Sequence, residues 1–125
     1  LLFRGSKTGS YLTIEPADGG TVPVVIWEVT ESDEAALDRY EGYPHLYTKE
    51  RLSVQTGNGL QTVVAYVMTA PYCEKAQPPS PAYLQTVLAG YRLAGFDPDA
   101  VLRAAAKARE MLTQQVQRKR PGTER

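Results

Sequence analysis

The tripeptide Gly57-Asn58-Gly59 constrains this chain more than any other feature, because it sits between two runs that alternate apolar and polar residues. Glycine and asparagine accept the positive φ that tight hairpin turns demand, so residues 46–56 and 60–68 are predicted to be paired antiparallel strands. Alternation then assigns Val63, Ala65 and Val67 to one face of the second strand, and Val64, Tyr66 and Met68 to the other.

Around that hairpin the remaining elements follow from local pattern. Residues 1–4 and 11–15 read as short strands, the second alternating Leu12 and Ile14 with polar neighbours, and the turn formers between them predict another hairpin. Residues 22–29 are β-branched and nearly continuous, which predicts a central strand, buried on both faces or lining a closed barrel. Thr30, with Asp33 three residues on, is a helix start; Ala36, Leu37 and Tyr40 then share a face until Gly42 ends the helix. Residues 70–81 carry four prolines and are predicted to cross the surface as an extended loop outside the sheet. Ser80 and Pro81 open a second helix, whose apolar stripe is Leu84, Val87, Leu88 and Tyr91 before Gly95. Asp97-Pro98 repeats the start signal for a third, with Val101, Leu102, Ala105, Ala108 and Leu112 on its apolar side. From Gln117 the tail is polar and basic and is predicted to fray. These elements predict one α+β domain over residues 1–116, a small mixed β-barrel with peripheral helices, followed by a tail over 117–125.

At 125 residues the chain suits a single domain with a core of its own. Its 14 basic and 14 acidic residues cancel, so no net field draws it to nucleic acid or to a membrane surface, and the expected ligand is a small molecule. The single cysteine, Cys73, cannot form an internal disulfide, and no apolar run is long enough for a membrane helix, which predicts a cytoplasmic setting. Cys73 has no neighbouring histidine or second cysteine and reads as a packed thiol; His45, the only histidine, reads as a solvated side chain beside a proline. Metal ligands cannot be assembled at any recognised spacing, and no glycine-rich phosphate loop is present, so neither metal nor cofactor is expected.

Glu41 stands where a helical pattern breaks, within Leu37-Asp38-Arg39-Tyr40-Glu41-Gly42-Tyr43-Pro44. A glycine past a helix end permits a left-handed turn, which can carry the preceding carboxylate to the rim of a cavity. By position alone such a carboxylate is a solvated surface group. The run resembles the Leu-Asp-x-x-Glu-Gly signature of the gamma-glutamylcyclotransferases. Ala65-Tyr66-Val67-Met68 and Pro78-Pro79-Ser80-Pro81-Ala82-Tyr83 are similar to two further family stretches, in family order and at about family spacing.

This resemblance spans about residues 1–95 and implies the small barrel fold. It also implies a cyclotransferase that releases 5-oxoproline from a γ-glutamyl amine or γ-glutamyl amino acid, with Glu41 as the general acid/base. Tyr83, Tyr66 and Tyr47 are then the expected substrate-binding residues, with Glu41 at the edge of the largest pocket and Tyr66 and Tyr83 facing it. The family's Tyr-Gly-Ser-Asn motif is not in this chain. Residues 1–5 resemble the strand that follows that motif, so an upstream segment is expected to be missing. Loss of a central strand would expose backbone edges and favour pairing with a second copy as a homodimer. A non-catalytic ligand-binding or interaction module on the same scaffold is the alternative reading.

Overall fold

The structure is a computed structural model that describes residues 1–6 and 9–119, the side chains beyond Gln115 excepted. In chain order the elements are β1 (Leu2–Ser6), β2 (Gly9–Thr13), α1 (Glu31–Tyr40), β3 (Tyr47–Thr56), β4 (Gly59–Met68), a 3₁₀ turn at Tyr72–Glu74, α2 (Pro81–Leu93) and α3 (Asp99–Lys119). They fall into two compact units, one made of Leu1–Val22 and Pro71–Arg125, the other of Pro23–Ala70.

In the first unit, β1 and β2 pair antiparallel from Leu2 opposite Thr13 to Ser6 opposite Gly9. Phe3 and Val101 are fully buried, and with Leu88, Ala104, Ala105 and Ala108 they form the core, against which Leu84, Val87 and Tyr91 pack. The stripe predicted for α2 is therefore its core face. On α3 the small residues Ala104, Ala105 and Ala108 hold the buried stripe, while Leu102 is 46% exposed, one step round the helix from Val101. The proline-rich segment departs from expectation. Lys75 accepts a hydrogen bond from the Gly5 N–H at 3.1 Å, Gln77 donates to the Phe3 carbonyl at 3.4 Å, and the buried Ala76 bridges to Arg4. Residues 75–77 thus line the free edge of β1, because the four prolines flank this stretch and leave its own N–H groups available. The tail expected to fray begins on the last turn of α3 and continues into residues 120–125, which lie outside the described residues.

The second unit is built on the predicted hairpin, in register from Tyr47 opposite Met68 to Thr56 opposite Gly59. Thr30 and Asp33 form a reciprocal capping box at the start of α1: the Thr30 hydroxyl accepts from the Asp33 N–H, and the Asp33 carboxylate accepts from the Thr30 N–H. Leu37 and Tyr40 are nonetheless exposed, and α1 buries no residue; its half-buried position is Asp38, so this helix meets its surroundings through polar groups.

Two expectations are corrected. Residues 22–29 form no strand, and Val24, Val25, Ile26, Trp27 and Val29 are exposed, Trp27 to 78%. The strands make two separate two-stranded sheets, with no closed barrel among the described residues. A β-branched pattern specifies a strand only when a neighbour supplies partners for its N–H and C=O groups, and β3 and β4 pair with each other alone. Among the described residues no helix is long and apolar enough to cross a membrane.

Candidate active site

The end of α1 organises the second unit. Glu41 is the C-cap, and Gly42 beyond it takes φ +67°, so the chain reverses through a Schellman turn. The Gly42 N–H donates to the Arg39 carbonyl at 3.3 Å and the Tyr43 N–H to the Asp38 carbonyl at 2.9 Å, which satisfies carbonyls the helix leaves open. His45 and Leu46 both donate to the Gly42 carbonyl, and the Thr69 hydroxyl donates to the carbonyls of His45 and Leu46. The turn that presents Glu41 is thereby tied to the end of β4.

Glu34, Asp38 and Glu41 follow one another on successive turns of the same helix flank. Lys49 and Tyr66 face each other across the hairpin and meet this flank. The Lys49 ammonium lies 2.6 Å from Glu34 and 3.0 Å from both oxygens of Asp38. The Tyr66 hydroxyl donates to Asp38 Oδ1 at 2.5 Å. The same ammonium stands 4.5 Å above the centre of the Tyr43 ring.

The titration behaviour follows these contacts. The Tyr66 hydroxyl, with Lys49 beside it, holds the Asp38 carboxyl below the usual carboxylate value. Glu34 and Asp38 raise the Lys49 ammonium, and burial together with Asp38 pushes the Tyr66 phenol up to about 12. Glu41 moves the other way from Asp38: partial burial with no compensating partner raises its carboxyl above the ordinary value. Two carboxylates one helical turn apart are thus shifted in opposite directions, Asp38 down and Glu41 up.

Tyr47 shares the hairpin face of Lys49 and is 6% exposed, opposite Met68. Tyr83 belongs to the first unit, in the first turn of α2, where the Ser80 hydroxyl caps its N–H. Its hydroxyl accepts from the Leu12 N–H at 3.1 Å, and its ring meets Phe3 and Tyr11 edge to face. It lines a pocket of ≈ 380 Å³, with Ser10, Tyr11, Gln77, Pro79 and Ser80 among the walls. That pocket is built from the first unit, and neither Glu41 nor Tyr66 is among its walls. The structure brings Glu41, Tyr66 and Tyr47 into one unit and sets Tyr83 in the other. Lys49 and Glu34 are the polar residues that sequence reasoning missed. Among the described residues, no three His, Cys, Asp or Glu side chains gather so as to hold a metal ion.

Residues 2–86, which include Glu41 and all three tyrosines, match the protein family described as Gamma-glutamyl cyclotransferase, AIG2-like. No curated protein and no solved structure matches the chain.

Proposed function

The chain belongs to the AIG2-like gamma-glutamyl cyclotransferase family, and from that premise we propose that it releases 5-oxoproline from a γ-glutamyl amine or γ-glutamyl amino acid, with Glu41 as the acid/base group. The observation that carries this reading is the raised carboxyl of Glu41 at the Gly42-closed end of α1. In the reaction the substrate's α-amine attacks its own γ-carbonyl. A C–N bond closes the five-membered lactam, and the bond to the leaving nitrogen breaks. Holding the two ends together removes much of the entropic barrier, since effective molarities for such closures reach about 10⁵ M or more. An ammonium cannot attack, so Glu41 takes one proton from it; the nitrogen sheds a second as the lactam forms, and the departing nitrogen takes up both and leaves as an ammonium, with Glu41 as the relay. A carboxyl whose pKa lies nearer the working pH performs both transfers better than an ordinary one. Tyr66 donates its hydroxyl hydrogen bond to Asp38, so in this proposal it offers substrate its ring and its oxygen lone pair. Tyr83 is the substrate-binding candidate of the first unit, where it walls its own pocket, and in the second unit Tyr47 shares the hairpin face of Tyr66.

The test incubates a panel of γ-glutamyl amines and γ-glutamyl amino acids with wild type and Glu41→Gln and quantifies 5-oxoproline. Glutamine keeps the shape but cannot accept the proton, so turnover should fall by about 10²–10⁴-fold while the fold persists. Equal turnover by both proteins removes Glu41 from the mechanism. Inactivity of wild type on every panel member favours a non-catalytic binding module.

A second copy of the chain is the partner we propose for the exposed residues 23–29. Their one charge is Glu28. Antiparallel self-pairing about Ile26 sets Glu28 opposite Val24 and Trp27 opposite Val25, so the two carboxylates stay apart while apolar side chains meet.

A further inference from the structure

The Schellman ends of α1 and α2 are built alike, yet they are closed by different contacts. At α2 the Phe96 N–H donates to the Tyr91 carbonyl at 2.9 Å, and the two aromatic rings meet edge to face at 5.8 Å, the apolar contact that ordinarily accompanies this turn. At α1 the equivalent pair is Asp38 and Tyr43, a carboxylate and a ring with no attraction of their own. Lys49 joins them: its ammonium touches both Asp38 oxygens and lies over the face of Tyr43. Glu41 sits between those two residues. The Lys49 side chain is only 19% exposed, and its position is fixed on β3 opposite Tyr66, whose hydroxyl holds the same carboxylate.

We propose that Lys49 is a positioning residue for Glu41, gripping both flanks of the turn that carries it, while Tyr66 fixes the Asp38 side of the grip. The role deepens the cyclotransferase reading and rests on it for its catalytic meaning, whereas the grip itself is a property of the fold. A long flexible side chain near a helix end is usually worth little. Here the contacts are shielded, convergent and shared by two elements, so the ammonium substitutes for the missing apolar contact. The charged and titratable groups gathered at this turn are Glu34, Asp38, Arg39 and Glu41 from α1 and its cap, Tyr43 and His45 from the turn itself, and Lys49 and Tyr66 from the hairpin.

The test is the titration of the Glu41 side-chain carboxyl, followed by carbon-detected NMR on the intact chain, in wild type, Lys49→Met, Lys49→Arg and Tyr66→Phe. When the grip is lost the turn lifts, water reaches Glu41, and its midpoint falls toward the ordinary glutamate value near about 4.3. Lys49→Met and Tyr66→Phe should both show this fall, and Lys49→Arg, whose guanidinium can still bridge carboxylate and ring, should restore the wild-type midpoint. Removing a cation that acted on Glu41 by charge alone would instead raise the midpoint. A rise in Lys49→Met, or an unchanged midpoint in both Lys49→Met and Tyr66→Phe, overturns the proposal. Tyr66→Phe alters neither charge nor bulk, so it decides the matter if Lys49→Met fails to fold. This readout needs no substrate, so absence of turnover would sink the proposed reaction and leave the grip standing. Where turnover is measured, Lys49→Met should lose about ten- to a hundred-fold in kcat, with KM changed by less than about threefold, as expected of a displaced catalytic group.

Discussion

Alanine at Gly42 and alanine at Gly95 should cost different amounts, although the two glycines close their helices with the same hydrogen bonds. Gly42 has φ +67° and Gly95 φ +78°, a region in which a side chain crowds the following carbonyl by roughly 1–2 kcal/mol. Alanine also restricts the unfolded chain, which offsets about 0.4–1 kcal/mol and leaves a net cost near ~1 kcal/mol at either position. The surroundings then separate them. A Cβ at Gly95 meets nothing within 4 Å, whereas one at Gly42 lies 3.3 Å from the Cβ of Leu46 and 3.9 Å from its nitrogen. Leu46 cannot swing aside freely, because its N–H is bonded to the Gly42 carbonyl at 2.9 Å and its carbonyl accepts from the Thr69 N–H at 2.9 Å. Overpacking against so held a neighbour adds about 1 kcal/mol, the lower end of its usual range. Gly42→Ala should therefore lose about 2 kcal/mol and Gly95→Ala about 1 kcal/mol. Urea denaturation followed by circular dichroism measures both, provided the slopes with denaturant agree. Equal losses would remove the contact with Leu46 from the account, and a neutral Gly42→Ala would refute the left-handed penalty as well.

Two further outcomes are expected. Burial raises the Glu41 carboxyl, so its contribution to stability is complete below the unfolded value near ~4.3 and is lost as pH rises through the higher folded value. Glu41→Gln should accordingly match wild type in acid and exceed it at neutral pH in denaturation curves; the opposite trend would mean that the carboxylate is paired in the fold. Size-exclusion chromatography with light scattering should find wild type as a dimer and Trp27→Lys as a monomer, because the lysine would meet Val25 of the partner strand; a monomeric wild type rejects the self-pairing.

Local signals carried most of the fold. The Gly57-Asn58-Gly59 turn set the register of β3 and β4 and so the pairing of Lys49 with Tyr66. Thr30 with Asp33, and Ser80 with Pro81, marked helix starts that the structure reproduces. Residues 22–29 failed for a physical reason: alternation and β-branching report what a segment does once it has a neighbour, and the chain alone does not say which neighbour is there. Residues 75–77 failed in the other direction, since prolines on both sides concealed a stretch with free donors beside β1. At the site, Glu41 was legible from its glycine and from its resemblance to a family signature. Lys49 was hidden because a lysine in an alternating strand ordinarily points to water. Only register plus the half-buried Asp38 reveals that it faces a helix.

Taken position by position, Leu37 to Tyr43 reads as the specification of a helix terminus rather than of a reaction. The Leu37 carbonyl receives the Glu41 N–H at 2.8 Å, and the Asp38 carbonyl receives the Tyr43 N–H, so both serve through their backbone. Asp38 serves again through its carboxylate, which anchors the helix to Lys49 and Tyr66. Gly42 supplies the left-handed step that ends the spiral. Of the two carboxylates in the run, Glu41 is the one whose side chain makes no hydrogen bond or ion pair among the described residues, and burial alone moves its pKa. Glu41 is thus the one carboxylate of the run that the local structure leaves uncommitted, which is why the acid/base role is proposed for it rather than for Asp38. That proposed role turns the search for a substrate toward molecules whose reaction requires protons to be taken at one nitrogen and returned at another.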